Sequence, residues 1–276
     1  MMKKLTHEQL RQYEENGFLI VRSMFSTAEA ESLHRIALSD EEINKNSYDL
    51  NDSEGRKTKL ALWFTPGEDT YGLLTRTEKI ISVVDALLDG NSDVCHFHSK
   101  LMQKEPYVGG AWEWHQDYGY WYKNGFLYPD QMISVMVALT PATIENGCLQ
   151  VISGSHKLGR VEHFFAGEQN GADMRFVDEI LKWNELVYVT LSPGDVLFFH
   201  SNLLHRSNKN ESDKARWSLI SAYNRSGNIP FNERSTSCIT PVVAVPDFAP
   251  WASELKGKDA SSDFLIKHED VTLKKF

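Results

Sequence analysis

One segment decides the fold class of this chain: Met132-Ile133-Ser134-Val135-Met136-Val137-Ala138-Leu139. Because it is short, rich in apolar and β-branched residues and bounded by turn-forming residues, it predicts a buried strand. Runs of the same character lie at 148–152, 187–191, 196–199 and 217–223. Many short strands separated by Gly, Pro and Asn favour a sandwich or barrel over alternating strands and helices. We therefore expect an all-β core over about 94–223, arranged as a double-stranded β-helix (jelly roll).

The residues before this core, about 5–93, predict flanking N-terminal α-helices that buttress one face of the sheets. Thr6, with Gln9 three positions later, forms a capping-box pattern at the start of the first helix. A short apolar strand follows at 18–21, and Ser26 is placed to cap a second helix. Because no repeat or low-complexity segment divides the chain, we expect one domain over 1–276.

One polar segment interrupts this pattern. Residues 40–58 lack apolar periodicity and predict a mobile loop. Within this segment, 44–57 suits a lid over a functional site and an ordinary surface loop equally well. Both interpretations stay open from the sequence.

Composition argues against several functional classes. The net charge is −9 and no dense Lys/Arg run occurs, which disfavours a nucleic-acid partner. The three cysteines, at 95, 148 and 238, are too far apart to indicate a disulfide framework or a cysteine-based zinc site. The charged stretch 1–8 is unlike a signal peptide, and no apolar run reaches the length of a membrane span. We expect a cytoplasmic protein that acts on a small molecule, while its oligomeric state stays open.

A metal-binding motif lies in Trp114-His115-Gln116-Asp117-Tyr118. In a strand, residues two apart project from the same face, so His115 and Asp117 would point inward together and Gln116 outward. His205, just after the strand at 196–199, would bring a second imidazole. Two imidazoles and one carboxylate can hold Fe(II) on one face and leave the opposite positions open for a co-substrate and O2. We therefore predict His115, Asp117 and His205 as the catalytic metal ligands.

Other histidines compete for these roles. His96 and His98 also lie two residues apart, and with a later histidine they would make a cupin-like three-histidine site. An inward-facing cation in the segment that follows them, which contains Lys100, would oppose metal binding. We therefore expect His96 and His98 in the wall, with His98 near the cavity. His200 competes with His205, since it ends the preceding strand directly.

Further motifs surround the metal pattern. They are Glu145-Asn146-Gly147-Cys148-Leu149, Ser153-Gly154-Ser155-His156-Lys157, Pro193-Gly194-Asp195, His205-Arg206-Ser207 and Arg216, eleven residues after His205. With these motifs, the stretch from about Leu5 to Tyr223 resembles the phytanoyl-CoA dioxygenase family of Fe(II)- and 2-oxoglutarate-dependent oxygenases, closest to its ectoine and proline hydroxylase branches.

The resemblance implies roles for individual residues. Arg216 would pair with the distal carboxylate of 2-oxoglutarate, an interaction that the forked guanidinium suits. Ser207 would help to hold this co-substrate, and Lys100 falls near a basic position that faces co-substrate or substrate. Trp121 matches an aromatic residue that lines the substrate pocket of ectoine hydroxylases. Because family halogenases have a small residue in place of the carboxylate, Asp117 favours hydroxylation over halogenation.

The aromatic residues around the motif suggest the substrate class. Strand parity would place Trp121 on the inward face and Trp112 and Tyr120 on the opposite face. A pocket walled by Trp121, Trp63 and His98 would suit an amino acid, a zwitterion or a small carboxylate. We therefore expect a dioxygenase that hydroxylates an unactivated C–H bond of a small molecule and releases succinate and CO2.

Several alternatives remain open from the sequence. The same ligand set would serve a desaturase, an epoxidase or a cyclase. A non-catalytic metal-binding jelly-roll module is a further alternative, although such a module would be expected to have lost one of the ligands. A free acid and a CoA thioester are both compatible with the residues named above.

Overall fold

The computed structural model describes residues 5–232 and 237–270. Residues 1–4, part of the stretch that is unlike a signal peptide, and the ends of the predicted 1–276 domain lie outside these ranges. Within them, no helix is both long and apolar enough to cross a membrane.

The described part of the chain forms strands, α-helices and short 3-10 turns. The strands are β1 (Phe18–Val21), β2 (Tyr48–Asn51), β3 (Lys57–Trp63), β4 (Val94–Lys104), β5 (Trp112–His115), β6 (Met132–Ala138), β7 (Leu149–Ile152), β8 (His163–Ala166), β9 (Gln169–Ala172), β10 (Leu186–Val189), β11 (Val196–His200), β12 (His205–Ser207) and β13 (Arg216–Arg225). The α-helices are α1 (His7–Asn16), α2 (Thr27–Ser39), α3 (Glu41–Asn46), α4 (Thr70–Thr75), α5 (Glu78–Leu87), α6 (Asp117–Trp121) and α7 (Met174–Ile180).

The strands form two principal sheets and a hairpin. The larger sheet has the order β1-β11-β6-β13-β4-β3-β2, and the smaller has the order β10-β7-β12-β5. All pairings between these strands are antiparallel, and β8 and β9 pair as a separate hairpin. The predicted β core with flanking helices is confirmed at this level.

Alternation along the larger sheet separates two apolar layers. In β6, Ile133, Val135 and Val137 face a cluster that we call the helix-side core, because it contains Leu33, Leu74, Ile80 and Val84 from the helices. Met136 and Ala138 face the inter-sheet core, which contains Leu149, Val151 and Val189 from the smaller sheet. This alternation follows from the two-residue period of a strand. The molecule is therefore layered as helices, larger sheet and smaller sheet.

Both predicted helix starts are confirmed. The Thr6 hydroxyl accepts from the Gln9 amide and the Gln9 side chain accepts from Thr6 N, which completes a capping box. Ser26 and Glu29 repeat this arrangement at the start of α2. Gly17 ends α1 with a φ of 80°, and a Cβ there would lie 2.4 Å from the ring of His156. A side chain at Gly17 is therefore disfavoured by conformation and by space.

The predicted mobile loop at 40–58 is wrong. Residues 41–46 form α3, whose first turn is capped by a bond from Ile43 N to Asp40 Oδ1 of 3.0 Å. Residues 48–51 form β2, the edge strand of the larger sheet, paired with β3. The helix is too short to show a period, and an edge strand tolerates polar residues such as Asp49 and Asn51. The possible lid at 44–57 therefore loses its basis.

The C-terminal segment returns across the N-terminal half. Lys258 Nζ lies 2.9 Å from Asp69 Oδ2 and 3.0 Å from Pro66 O, and it lies 4.8 Å from the centre of a Trp63 ring. Both charged side chains are buried, at 1% and 7% exposure. Burial raises the pKa of Asp69, while Lys258 opposes that effect. A buried carboxylate thus depends on a partner almost 190 residues away in the chain.

Removing this partner should destabilise the fold. We expect Lys258→Met to lower the free energy of unfolding by about 3 kcal/mol, because Asp69 stays buried without its cation. Urea unfolding measures the loss. Lys256→Met, at an exposed lysine two residues away, should change the free energy by no more than ~0.5 kcal/mol. Equal effects of the two variants would contradict the buried-pair interpretation.

Candidate metal centre

Three potential metal ligands converge where β5, α6 and β12 meet. His115 Nε2 lies 3.8 Å from Asp117 Oδ1, and His205 Nε2 lies 4.0 Å from the same oxygen. One ligand atom from each residue lies within 4.8 Å of the others, and all three residues are buried. Among residues 5–232 and 237–270, no second group of histidine, cysteine or acidic side chains has this spacing.

Sheet pairing brings the two imidazoles together. β12 runs antiparallel to β5 with His205 opposite His115, and the ring centres lie 4.0 Å apart. The prediction placed Asp117 on the same strand as His115. In the structure the strand ends at His115, and Asp117 is the first residue of α6. The extended geometry expected for this motif is therefore wrong. Gln116, expected outside, is fully buried.

Backbone carbonyls fix the proton positions on both imidazoles. Nδ1 lies 2.8 Å from Glu113 O in His115, and 2.9 Å from Leu203 O in His205. A carbonyl oxygen only accepts, so Nδ1 carries the proton in each ring and Nε2 keeps its lone pair. Burial lowers the pKa of both histidines. Two neutral imidazoles therefore present lone pairs beside Asp117.

The Asp117 carboxylate is held in its charged form. Ser134 Oγ donates to Oδ2 at 2.5 Å, while Oδ1 lies nearest the imidazoles. Burial acts to raise the pKa of Asp117, but Lys100, His205 and the Ser134 bond outweigh it and lower the pKa. Sequence reasoning did not identify Ser134. The sequence did contain a signal, since Ser134 is the one polar residue among the apolar residues at 132–139.

These residues fit a divalent iron. Two neutral nitrogen donors and one ionised oxygen donor face a common point, which is the donor set of a non-heme iron site. Each imidazole has a carbonyl partner and the carboxylate has a hydroxyl partner, so the ligands are oriented by their neighbours. Iron would be held by His115, Asp117 and His205.

A buried guanidinium lies at the beginning of β13. Arg216 is 4% exposed and one of its terminal nitrogens donates to Gly147 O, while its Nε has no partner among the described residues. Burial lowers the pKa of Arg216 to about 10, so the group stays charged at neutral pH. No carboxylate of the described residues forms an ion pair with it. A buried, uncompensated positive charge favours an anionic ligand.

Lys104 adjoins this guanidinium and was missed by sequence reasoning. Its Cα pairs with that of Arg216 across β4 and β13, and its side chain is fully buried. Nζ donates to Gly110 O and Asn208 O, both at 2.6 Å. Burial and the charge of Arg216 lower the pKa of Lys104. Lys104 thus ties the chain just after β12 to the segment before β5.

The other predicted co-substrate residues lie on neighbouring strands. Ser207 is buried at the end of β12, two residues after His205. Lys100 is half-buried on β4, with Nζ 5.9 Å from the centre of a Trp112 ring, and its charge acts on Asp117. Ser218, two residues after Arg216, has a buried hydroxyl without a partner in the described structure. It was not identified from the sequence.

The rival histidine pair does not share a face. A bulge between Ala222 and Tyr223 shifts the pairing with β4. The ring of His96 lies 5.8 Å from that of Tyr223 in the helix-side core, whereas that of His98 lies 5.9 Å from Trp121. Both ring nitrogens of His96 are already bonded, to Phe64 O at 2.9 Å and Ser99 Oγ at 2.8 Å. His96 therefore offers no lone pair to a metal.

His200 is similarly engaged. Its Nε2 lies 3.0 Å from Asp130 Oδ1, and its Nδ1 accepts from Asn202 N at 3.0 Å. It lies outside the group of three potential ligands. His205 therefore supplies the distal position in this structure.

The aromatic predictions need two corrections. Trp63 is fully buried in the helix-side core, 5.9 Å from the Tyr71 ring, so it does not line the site as expected. Trp112 and Tyr120 were expected to face away, yet their rings lie 6.1 and 5.5 Å from that of His115. For Trp112, strand parity failed because the pairing of β5 with β12 shifts register between His115 and Trp112. For Tyr120 it failed because α6 replaces the strand. Trp121 lies in α6 beside His98.

Comparison with known proteins identifies the family of this chain. A model of the phytanoyl-CoA dioxygenase (PhyH) family matches residues 13–218. L-Proline trans-4-hydroxylase of Streptomyces griseoviridis is 30% identical over 178 residues, which cover 59% of this chain and 66% of that protein. The 2-aminoethylphosphonate dioxygenase of an uncultured bacterium is 26% identical over 276 residues, which cover 95% of both chains.

One solved structure illustrates the shared fold. EctD from S. alaskensis with bound Fe has a TM-score of 0.70 and 21% sequence identity to this chain. The match covers 88% of this chain and 89% of that chain. Because only 21% of the aligned residues are identical, this similarity shows a shared backbone fold.

The buried His96 predicts a pH-dependent stability. Burial lowers the pKa of His96 to about 3, against ~6.5 in an unfolded chain. The folded state favours the neutral ring. The contribution of His96 to the free energy of unfolding is therefore complete above pH ~6.5 and is lost as the pH falls toward 3. We expect the free energy of unfolding of the metal-free protein, measured in urea, to decrease from pH 6.5 to 4. The decrease should be shallower in His96→Gln and unchanged in His7→Gln, an exposed control. A constant difference between wild type and His96→Gln across this range would contradict it.

Proposed function

This chain belongs to the phytanoyl-CoA dioxygenase family, and from that premise we propose that it is an Fe(II)- and 2-oxoglutarate-dependent dioxygenase that hydroxylates a small molecule. The observation that carries the proposal is the pairing of two features. His115, Asp117 and His205 make an iron-type donor set, and the buried Arg216 has no carboxylate partner among the described residues. A metal site alone would fit many proteins, while a metal site with a buried anion receptor fits this chemistry.

We also propose that the two sheets form one double-stranded β-helix domain, with its core at about 94–223. The shared inter-sheet core supports this arrangement, as does the TM-score of 0.70 with EctD. In such a fold the metal ligands lie between the sheets. The helices α1 to α5 would then stabilise the outer face of the larger sheet.

The roles of the side chains follow from their positions. When bound, iron supplies the oxidising chemistry that removes hydrogen from an unactivated C–H bond, with O2 consumed and succinate and CO2 released. Arg216 would neutralise the distal carboxylate of 2-oxoglutarate, and Ser207 would donate a hydrogen bond to it. Lys100, near Asp117, would attract a further anionic group of co-substrate or substrate.

Apolar and aromatic side chains would exclude water from this site. The Phe199 ring lies 4.9 Å from that of His205, and Trp112 and Tyr120 flank His115. Exclusion of water strengthens the attraction between Arg216 and a carboxylate, because the local dielectric falls. It also protects the reacting centre from side reactions.

For the substrate we propose an amino acid, another zwitterion or a small carboxylate. Trp121 shares α6 with Asp117, its ring lies 5.9 Å from that of His98, and the two side chains would form the pocket wall. An aromatic face attracts a cationic amine, and Lys100 would attract an anionic group. The named activities of the two relatives, on proline and on 2-aminoethylphosphonate, belong to compounds with both kinds of group. These two compounds would therefore open the substrate panel.

The first test is co-substrate binding. We expect anaerobic Fe(II) plus 2-oxoglutarate to give a weak visible charge-transfer band. Arg216→Met should raise the Kd for 2-oxoglutarate, read from this band, by roughly 30-fold because it removes a charge-assisted pair. Arg206→Met is a matched control, since Arg206 instead bonds Gln150 at 3.0 Å and covers Trp114. It should change Kd by less than ~3-fold.

The contrary outcomes are distinct. No band despite bound iron in the wild type would exclude the 2-oxoglutarate assignment and favour a simple metal-binding module. Equal losses in both arginine variants would show that Arg216 has no special role. A band with succinate release but a desaturated or cyclised product would keep the cofactors and replace hydroxylation.

The second test concerns the pocket wall. Once succinate release identifies a substrate, Trp121→Leu should raise its KM about tenfold, because an aromatic contact to the amine is lost. Binding of 2-oxoglutarate should stay within ~3-fold of the wild type. Trp63→Leu, in the helix-side core, should lower the Tm and leave KM unchanged. An unchanged KM in Trp121→Leu would remove Trp121 from the substrate site.

A further inference from the structure

Gln116 lies between two metal ligands, yet its side chain points away from them and is fully buried. The side-chain nitrogen donates to Gly159 O and Asn202 O, both at 2.7 Å, and the side-chain oxygen accepts from Val161 N at 2.7 Å. Both N–H groups and the carbonyl are therefore engaged. Such complete bonding makes the orientation of this amide unambiguous.

The backbone of Gln116 is held as well. Its N–H donates to His163 Nε2 at 2.9 Å, and its carbonyl accepts from Gly119 N at 2.9 Å in the first turn of α6. Nδ1 of His163 lies 2.7 Å from Val161 O, which leaves Nε2 as the acceptor. The residue that separates His115 from Asp117 is thus fixed at every polar atom.

The bond to Asn202 reaches the segment that carries the third ligand. Asn202 lies three residues before His205, and its neighbour Leu203 provides the carbonyl that orients the His205 ring. In the described part of the chain, residues 115–118 form one other hydrogen bond to residues 200–204, a backbone bond from Tyr118 N to Ser201 O of 2.9 Å. The Gln116 amide is therefore the side-chain link between the two ligand-bearing segments.

We propose that Gln116 is a positioning residue that fixes the spacing between the His115–Asp117 pair and His205, an inference that rests on the iron site proposed above. The ligands come from segments about 90 residues apart in the chain. The β5–β12 pairing sets His205 opposite His115, but Asp117 lies beyond the end of β5, in α6, so the sheet alone does not set the spacing of all three. A rigid spacing lowers the cost of gathering the ligands around the ion. Loss of the link should weaken metal binding even though Gln116 touches no metal.

Two variants remove the link in different ways. Gln116→Met keeps the approximate size and removes all three hydrogen bonds. Gln116→Glu keeps the acceptor for Val161 N but presents oxygen, without a proton, to the carbonyls of Gly159 and Asn202. Both should raise the Kd for Mn(II), measured by calorimetry on metal-free protein, by ~10- to 100-fold.

Gln169 provides the matched control. It is also fully buried, accepts from Glu113 N at 2.9 Å and donates to Ala111 O at 3.1 Å. It therefore bonds to β5 and its flank but not to the segment at 200–204. Gln169→Met should lower the urea midpoint about as much as Gln116→Met while its Kd for Mn(II) stays within ~3-fold of the wild type.

The results distinguish failure of the positioning role of Gln116 from failure of the proposed iron site. A Kd within ~3-fold of the wild type in folded Gln116→Met, or equal weakening in Gln169→Met, would overturn the positioning role and leave the iron site intact. If Gln116→Met fails to fold, Gln116→Glu carries the same comparison. Failure of the wild type itself to bind Mn(II) or Fe(II) would instead overturn the proposed function, and the inference with it.

Discussion

The antiparallel pairing of β12 with β5 is the constraint on which the metal centre depends. It places His205 opposite His115, and the carbonyls of Leu203 and Glu113 then turn both rings so that their free nitrogens face Asp117. Neither histidine would be oriented without the local backbone, and neither would meet the other without the sheet. Long-range pairing and short-range hydrogen bonding thus determine one site together.

Two places in the polar interior carry charges of opposite sign. Asp117 is the buried negative charge at the ligand cluster, whereas Arg216 is an uncompensated positive charge at the start of β13. Desolvation keeps the ligand histidines neutral, so they add no positive charge that would repel a metal. A cation would be favoured at one region and an anion at the other. This division suits a dicarboxylate that binds a metal at one end.

The sequence predicts the layers well and the local geometry of the site poorly. The strand runs and the Thr6 and Ser26 caps were readable because periodicity and capping are local signals. Parity arguments failed where the backbone changes type. The strand ends at His115, so Asp117 lies in a helix, and a bulge in β4 separates His96 from His98. Trp63 was wrongly predicted to line the site. The residues around it in the sequence do not reveal that the C-terminal segment covers its face of β3, where Lys258 lies over its ring.

The short helix α6 has a consequence for how this protein can diversify. It begins with the metal ligand Asp117 and ends four residues later with Trp121, packed on Phe97 and His98. One turn of helix therefore positions both a metal ligand and a residue of the pocket wall. A substitution in α6 that reshapes the wall would also displace the ligand. Phe97 and Phe126 contact the same wall from other parts of the chain. Natural drift and laboratory selection toward new substrates should accordingly accumulate at those distant positions, while α6 evolves slowly.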